Sequence, residues 1–335
     1  MDVVVASHPA ALLHDTGPRH PERPDRVRAI LSGIDDSGLV ADQLTAPRIE
    51  RSELALVHDP TYIELIHTFC LEGGGALDMD TFVSAASWDA ALTAAGGVRA
   101  VVEEIDARSN ATGFAVTRPP GHHAMPDRAM GFCLFNNVAV SAAYLRSRGS
   151  RVAIVDWDVH HGNGSQDMLS GDPGVLYASV HQSHFYPFAG DAEDIEESAK
   201  GTVVNIPLPA GTAGDIYRRA WAEVVLPVLS QFEPDWVLIS AGFDAHVSDP
   251  LADFRLTSDE YGAMAAELSG AHPASRTVVV LEGGYDLTAL RESARATLLG
   301  LAGRAPTSVP SLQSPPSAAR ALSEASTTIA RHWRL

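Results

Sequence analysis

An α/β domain with a parallel sheet covered by helices on both faces is the architecture this sequence predicts. Two observations carry it. Seven short apolar or β-branched runs each end in a polar or glycine-rich turn, and helix-like stretches separate them. The runs are apolar throughout rather than alternating, the pattern of strands buried on both faces. The 335 residues, 45% of them apolar, leave room for one large core or two ordinary ones.

In chain order the strand-like runs are VVVAS (3–7), GFAVTRPPG (113–121), RVAIVDWD (151–158), GVLYASVH (174–181), TVVNIPL (202–208), DWVLISAGFD (235–244) and TVVVLEGGYD (277–286). Helix-like stretches occupy 21–36, 52–69, 84–107, 136–148, 214–231, 257–270 and 287–301. No internal repeat is visible. Composition shifts only at 303–318 (GRAPTSVPSLQSPPSA), which reads as a Pro/Ser-rich linker before a short helix at about 316–331. The reading is therefore one domain, 1–302, with a C-terminal appendage, 303–335.

The formal charge of −18 repels phosphate backbones, which argues against a nucleic-acid partner and favours cationic substrates, although acidity also serves solubility. Cys70 and Cys133 form no C-x-x-C, so reduced thiols are the default. The N-terminus MDVVVASHPA has no basic region followed by a long apolar one, and no apolar stretch reaches the roughly 18–20 residues of a membrane span. A cytoplasmic protein without a membrane partner is expected.

Ligands of open parallel sheets bind beyond the carboxyl ends of the strands. Four runs end in residues that suit such a site: His122 and His123, then Asp156 to Asn163, then Asp244, then Tyr285. Asp156, Asp158 and His160 follow the period of two of a strand, which aims them the same way. Carboxylates with an imidazole form a partial shell for Zn²⁺, and Asp244 is the best third ligand, leaving a fourth position open. The competing reading makes Asp156 and Asp158 helix caps and His160 a core histidine. In GHH, one imidazole suits proton transfer near neutral pH and the other suits its support. Asp156 and Asn163 stand near enough in sequence to fix their tautomers. Alternatively the histidines are incidental to a helix start. The glycines of EGGYDL permit a turn that aims Tyr285 at a developing oxyanion, or the tyrosine simply packs at the surface.

Taken together, HPERPDR (20–26), RPPGHHA (118–124), GFCLFNN (131–137), VDWDVHHGNG (155–164), SAGFDAHVSDPL (240–251) and LEGGYDL (281–287) resemble the arginase/deacetylase superfamily. Within it they resemble the histone deacetylase-like amidohydrolases, over about residues 8–300. The resemblance implies a three-layer α/β/α fold with a central, mostly parallel sheet of about eight strands. It also implies a zinc-dependent deacylase that releases acetate and a free amine from N-acetyl-lysine-type substrates. Carried over by position, Asp158, His160 and Asp244 would bind zinc. His123 would be the general base and then acid, supported by Asn163; His122 would be its electrostatic neighbour, supported by Asp156; Tyr285 would polarise the carbonyl. A structural K⁺ would lie at Asp156, Asp158, His160, Ser179 and Val180, and a second near Leu169, Asp172, Val175 and Thr202. Phe132 and Tyr186, with Gly131 and Gly283, would line the acyl-lysine tunnel.

Where class I deacetylases carry aspartate, this chain has Asn163, which with HPERP points to the class II-like branch. A neutral amide raises an imidazole pKa less than a carboxylate does, so His123 should serve as a base at lower pH. Acetylated lysine in peptides or proteins and acetylated polyamines both remain open as substrates. The acidic segment 182–197 near the expected rim would attract a cation. An arginase-like ureohydrolase would need two Mn²⁺ and further bridging aspartates, and a non-catalytic binding protein on this fold is the remaining alternative. Asp59 lies near the place of a substrate-gripping rim residue, or is a solvated loop carboxylate. Oligomerisation is left open.

Overall fold

The strands of the computed structural model, which describes residues 1–306 and 308–335, are ten. They are β1 (Asp2–Ser7), β2 (Ala41–Thr45), β3 (Gly74–Ala76), β4 (Phe82–Ser84), β5 (Ala111–Ala115), β6 (Val152–Asp156), β7 (Val175–Gln182), β8 (Val203–Leu208), β9 (Trp236–Ala241) and β10 (Thr277–Leu281). Eight form one sheet in the order β2-β1-β5-β10-β9-β6-β7-β8. Every pairing in it is parallel. β3 and β4 form a separate antiparallel pair.

Alternation along the strands divides the interior into two layers. On β6, Ala153 and Val155 enter one core with Trp157, while Val152 and Ile154 enter the other. Val27, Ile30 and Ile34 of helix Asp25–Asp36 and Leu290 and Leu298 of helix Leu287–Leu301 cover the first face. Val98, Val101 and Ile105 of helix Ser87–Asp106 and Val138 and Leu145 of helix Asn137–Ser147 cover the second. The sheet therefore lies between two helical layers, as anticipated.

Besides the β3–β4 pair, which no strand-like run covered, three local features depart from the sequence reading. β2, ADQLT, was not anticipated, because an edge strand with half-buried and exposed side chains needs no apolar run. The stretch 52–69 splits into helices Arg51–Leu54 and Pro60–Leu71, and Asp59 caps the second by accepting from Thr61 N at 2.7 Å. The stretch 214–231 is interrupted by a π-helical turn at Trp221–Val225.

The C-terminal helix, Pro316–Ile329, packs Ala318, Leu322, Ala325 and Ile329 into the first core. The Pro/Ser-rich stretch before it is tied down as well: Ser311 Oγ donates to Glu260 Oε1 at 2.5 Å. Residue 307, inside the predicted linker, lies outside the described residues. Among the described residues no helix is long and apolar enough to cross a membrane.

Candidate active site

β5, β10, β9 and β6 are adjacent, so their carboxyl ends share one stretch of the sheet edge. Parallel register aligns those ends: Ala115 lies beside Val280, Leu281 beside Ala241, and Ser240 beside Asp156. The four polar segments that follow must therefore meet.

β6 ends at Asp156 and the chain bends over Asp158–His160, yet Val155, Trp157 and Val159 all stay in the first core, so Asp156, Asp158 and His160 keep to the opposite side. Asp156 Oδ2 meets His122 Nδ1 and the Tyr177 hydroxyl, each at 3.1 Å. Asp158 and His160 are brought together by the bend, where His160 N donates to Asp158 Oδ1 at 2.9 Å. His160 Nδ1 then lies 3.0 Å from Asp158 Oδ1 and 3.1 Å from Asp244 Oδ2. Backbone amides fix the other oxygens, Gly283 N donating to Asp158 Oδ2 at 2.8 Å and Val159 N to Asp244 Oδ1 at 2.9 Å. A Cβ at position 283 would stand 2.1 Å from Asp244 Oδ2, so only glycine admits the chain there.

Asp158 and Asp244 are wholly buried, and the ligand atoms of these two and His160 lie within 4.8 Å of one another. Two buried carboxylates facing one imidazole call for a cation. Against its burial, the two carboxylates hold His160 up at about 10. A divalent ion would do that balancing in place of the proton. Two carboxylate oxygens and an imidazole nitrogen, with a side open to a pocket, suit Zn²⁺.

The histidine pair lies with ring centroids 4.0 Å apart and contrasting environments. Burial alone would lower His122, but Asp158 and Asp156 raise it to about 10. His123 is pushed well below the ordinary range by burial and by the neighbouring His122 and His160. Its Nδ1 meets Asn163 Oδ1 at 2.8 Å. Glu282 braces the loop from β5, its Oε2 accepting from Gly121 N at 2.6 Å and His122 N at 3.1 Å. Gly131, with φ +57°, passes so close that a Cβ would lie 2.4 Å from the His123 ring.

Both histidines, His160, Phe132, Tyr186, Tyr285, Gly131 and Gly283 line one pocket of about 240 Å³. Phe132 and Tyr285 meet edge-on at 5.9 Å, and Tyr186 stands edge-on to His123 at 5.2 Å. Tyr285 is set by its backbone: Tyr285 N donates to Asp249 Oδ2 at 2.7 Å, and Gly284 before it has φ +110°. Arg26 lies over the ring, 5.1 Å from its centroid, and its guanidinium donates to the carbonyls of Gly284 and Glu282.

Sequence reasoning missed several residues of this pocket. Asp80, Phe185 and Leu251 line it, and Phe185 stacks on His160 at 5.2 Å. Glu22, Arg26 and Arg118 form a wholly buried ion network behind Tyr285. HPERPDR was the signal for that network, but no role followed from it. Asp59 is an exposed helix cap and lines none of this pocket. Ser179 Oγ meets His181 Nδ1 at 2.9 Å, and the Val180 carbonyl accepts from the Tyr217 hydroxyl at 3.2 Å. At the second position proposed for potassium, the Asp172 carboxylate pairs with Arg146 at 2.8 Å. A surface hollow of about 780 Å³ lies between helices Asp25–Asp36 and Leu287–Leu301 and includes none of these site residues.

Comparison with known proteins fits this geometry. Residues 20–301 match the model of the histone deacetylase domain. A histone deacetylase-like amidohydrolase of Pseudomonas aeruginosa is 41% identical over 276 residues, covering 79% of this chain and 72% of that protein. Histone deacetylase 15 of Arabidopsis thaliana is 40% identical over 296 residues, 86% of this chain but only 53% of the relative. A probable deacetylase of Archaeoglobus fulgidus is 35% identical over 292 residues, covering 84% of this chain and 81% of the relative. The crystal structure of the HDA15 HD domain superposes with a TM-score of 0.91 at 34% identity, covering 99% of this chain and 96% of that one.

Proposed function

The chain belongs to the histone deacetylase family, and we propose that it is a zinc-dependent deacylase hydrolysing N-acetyl-lysine-type amides to acetate and free amine. One observation carries the reading: His160, which gathers Asp158 and Asp244 around its Nδ1, lines the same aromatic-walled pocket as His123. Asp158, His160 and Asp244 would hold the zinc, which when bound activates a water and polarises the acyl carbonyl. His123 then takes the water's proton on Nε2, because its Nδ1 is committed to Asn163. As the C–N bond breaks, His123 returns that proton to the departing nitrogen. His122, held between Asp156 and Asp158, supplies a fixed positive charge. The Tyr285 hydroxyl donates to the oxyanion that develops on the carbonyl oxygen.

Phe132 and Tyr186 suit the apolar stem of an acyl-lysine, and the net charge of −18 suits a cationic substrate rather than a nucleic acid. A structural K⁺ at the main chain around Asp156, Ser179 and Val180 rests on the resemblance alone, catalysis by residues 1–302 on the change of composition at residue 303, and a cytoplasmic location on the two free cysteines. The test compares kcat/KM on an acetyl-lysine peptide amide with that on acetylated putrescine and spermidine, before and after chelation and zinc return. Activity on the peptide that falls with chelator and returns with zinc is expected. A preference for the acetylated polyamines would move the assignment to an acetylpolyamine amidohydrolase, and chelator-resistant turnover would overturn the zinc reading.

A further inference from the structure

Asn163 holds His123 with a side chain that is ambiguous. If its amide oxygen faces His123 Nδ1, the ring carries its proton there and leaves Nε2 free as a base. If the amide is turned over, Nδ2–H donates to Nδ1, the ring proton sits on Nε2, and the base is blocked. Each arrangement keeps one hydrogen bond, so that contact alone does not choose between them. An aspartate at this position would raise no such question, because it accepts at both oxygens.

What lies at the far end of the amide decides. Asn163 Nδ2 lies 3.1 Å from Met125 Sδ and 3.4 Å from Met130 Sδ. A thioether accepts weakly and donates nothing, so the NH₂ group belongs on that side and the oxygen on the His123 side. Both methionines are half-buried and sit in a braced loop. Met125 N donates to Arg128 O at 3.0 Å, and Met130 and Cys133 exchange backbone bonds at 3.2 and 3.0 Å. The sulfurs, Asn163 and Asp194 also border a second cavity of about 450 Å³.

We propose that Met125 and Met130 are positioning residues: their paired thioether sulfurs fix the orientation of the Asn163 amide and thereby select the base-competent tautomer of His123. The inference rests on the role given to His123 above.

The test reads tautomers directly, from imidazole ¹⁵N shifts of the full-length chain labelled at histidine, with His123 assigned by difference against His123→Ala. The wild-type chain should show His123 protonated at Nδ1 only. In the Met125→Leu/Met130→Leu variant, which keeps bulk and removes both acceptors, both tautomers should appear. Then kcat should fall about twofold at unchanged KM, as half the molecules lose the free Nε2. Met125→Lys places a donor at the amide, with Asp194 and Glu197 on the same cavity as counter-charges. It should turn the amide over and lower kcat at least tenfold at unchanged KM. Adding Asn163→Asp to that variant, assayed above the acidic limb, should restore kcat, because a carboxylate accepts from both neighbours. A single Nδ1-protonated His123 in the leucine pair and in the lysine variant would overturn the proposal. Should the lysine variant not fold, the leucine pair decides alone. If wild-type protein turns over no acyl substrate, the functional reading fails, while the ¹⁵N spectra still judge this one.

Discussion

Asn163→Asp places a negative charge at the atom that meets His123, and its effect can be sized from the structure. The Asn163 Oδ1 to His123 Nδ1 distance is 2.8 Å, which puts the two charge centres about 4 Å apart. At an effective dielectric of 20 that pair is worth about 4 kcal/mol, or roughly 3 pKa units at 1.36 kcal/mol each. Asn163 is half-buried on a cavity, so part of the charge is screened, and a rise of about 1–3 units is the expected range. In the wild-type chain burial, then His122 and His160, hold His123 well below its ordinary value. A base works only when neutral, so the acidic limb of kcat/KM follows its pKa in the free enzyme. The substitution should move that limb to higher pH by about 1–3 units and leave the plateau above it standing. The assay is the pH profile of kcat/KM for both proteins on a fluorogenic acetyl-lysine amide at saturating zinc. A limb that stays in place, or moves to lower pH, would falsify the assignment of His123 as the base that Asn163 holds.

Three other outcomes follow from the same geometry. Tyr285→Phe should lower kcat by about 10²–10³, or about 2.7–4 kcal/mol of barrier, the cost of one oxyanion donor; near-wild-type turnover would remove the tyrosine from the reaction. Asp244→Ala leaves Asp158 and His160 without their third partner, so the purified variant should carry far less zinc by elemental analysis; undiminished metal content would place the ion elsewhere. Glu22→Gln leaves Arg26 and Arg118 buried without the carboxylate that meets them at 3.1 and 2.7 Å. Breaking such a network should cost about 3–5 kcal/mol, measured from urea unfolding at pH 7. Burial opposes ionisation of Glu22, but the two arginines hold its carboxyl below the usual range. Its contribution is therefore present above the unfolded value of about 4.3 and lost as pH falls, so the gap between variant and wild type should close in acid. A gap independent of pH would refute the ion-pair account.

How much of this was legible in the sequence depends on whether the signal is local. GHH, VDWDVHHGNG and EGGYDL announce their chemistry in consecutive residues, and a buried parallel strand announces its carboxyl end by the turn after it. Those signals fixed which residues gather, but not their neighbours in space. The order β5-β10-β9-β6 juxtaposes strands far apart in the chain, and nothing in any one of them specifies that order. Asp156 and Asp158 both reach His122, the first at Nδ1 and the second 3.8 Å from Nε2, and the strand period alone does not say which of the two joins His160 and Asp244. β2 escaped notice because an edge strand is defined by its partner β1 rather than by its own composition. Met125 and Met130 belong to the same class. In sequence they are two unremarkable apolar residues in a loop, and only the fold brings both sulfurs to one amide. Asn163 is where the two kinds of information meet. Its identity is local, whereas the orientation that makes a neutral amide serviceable is a property of the loop packed against it.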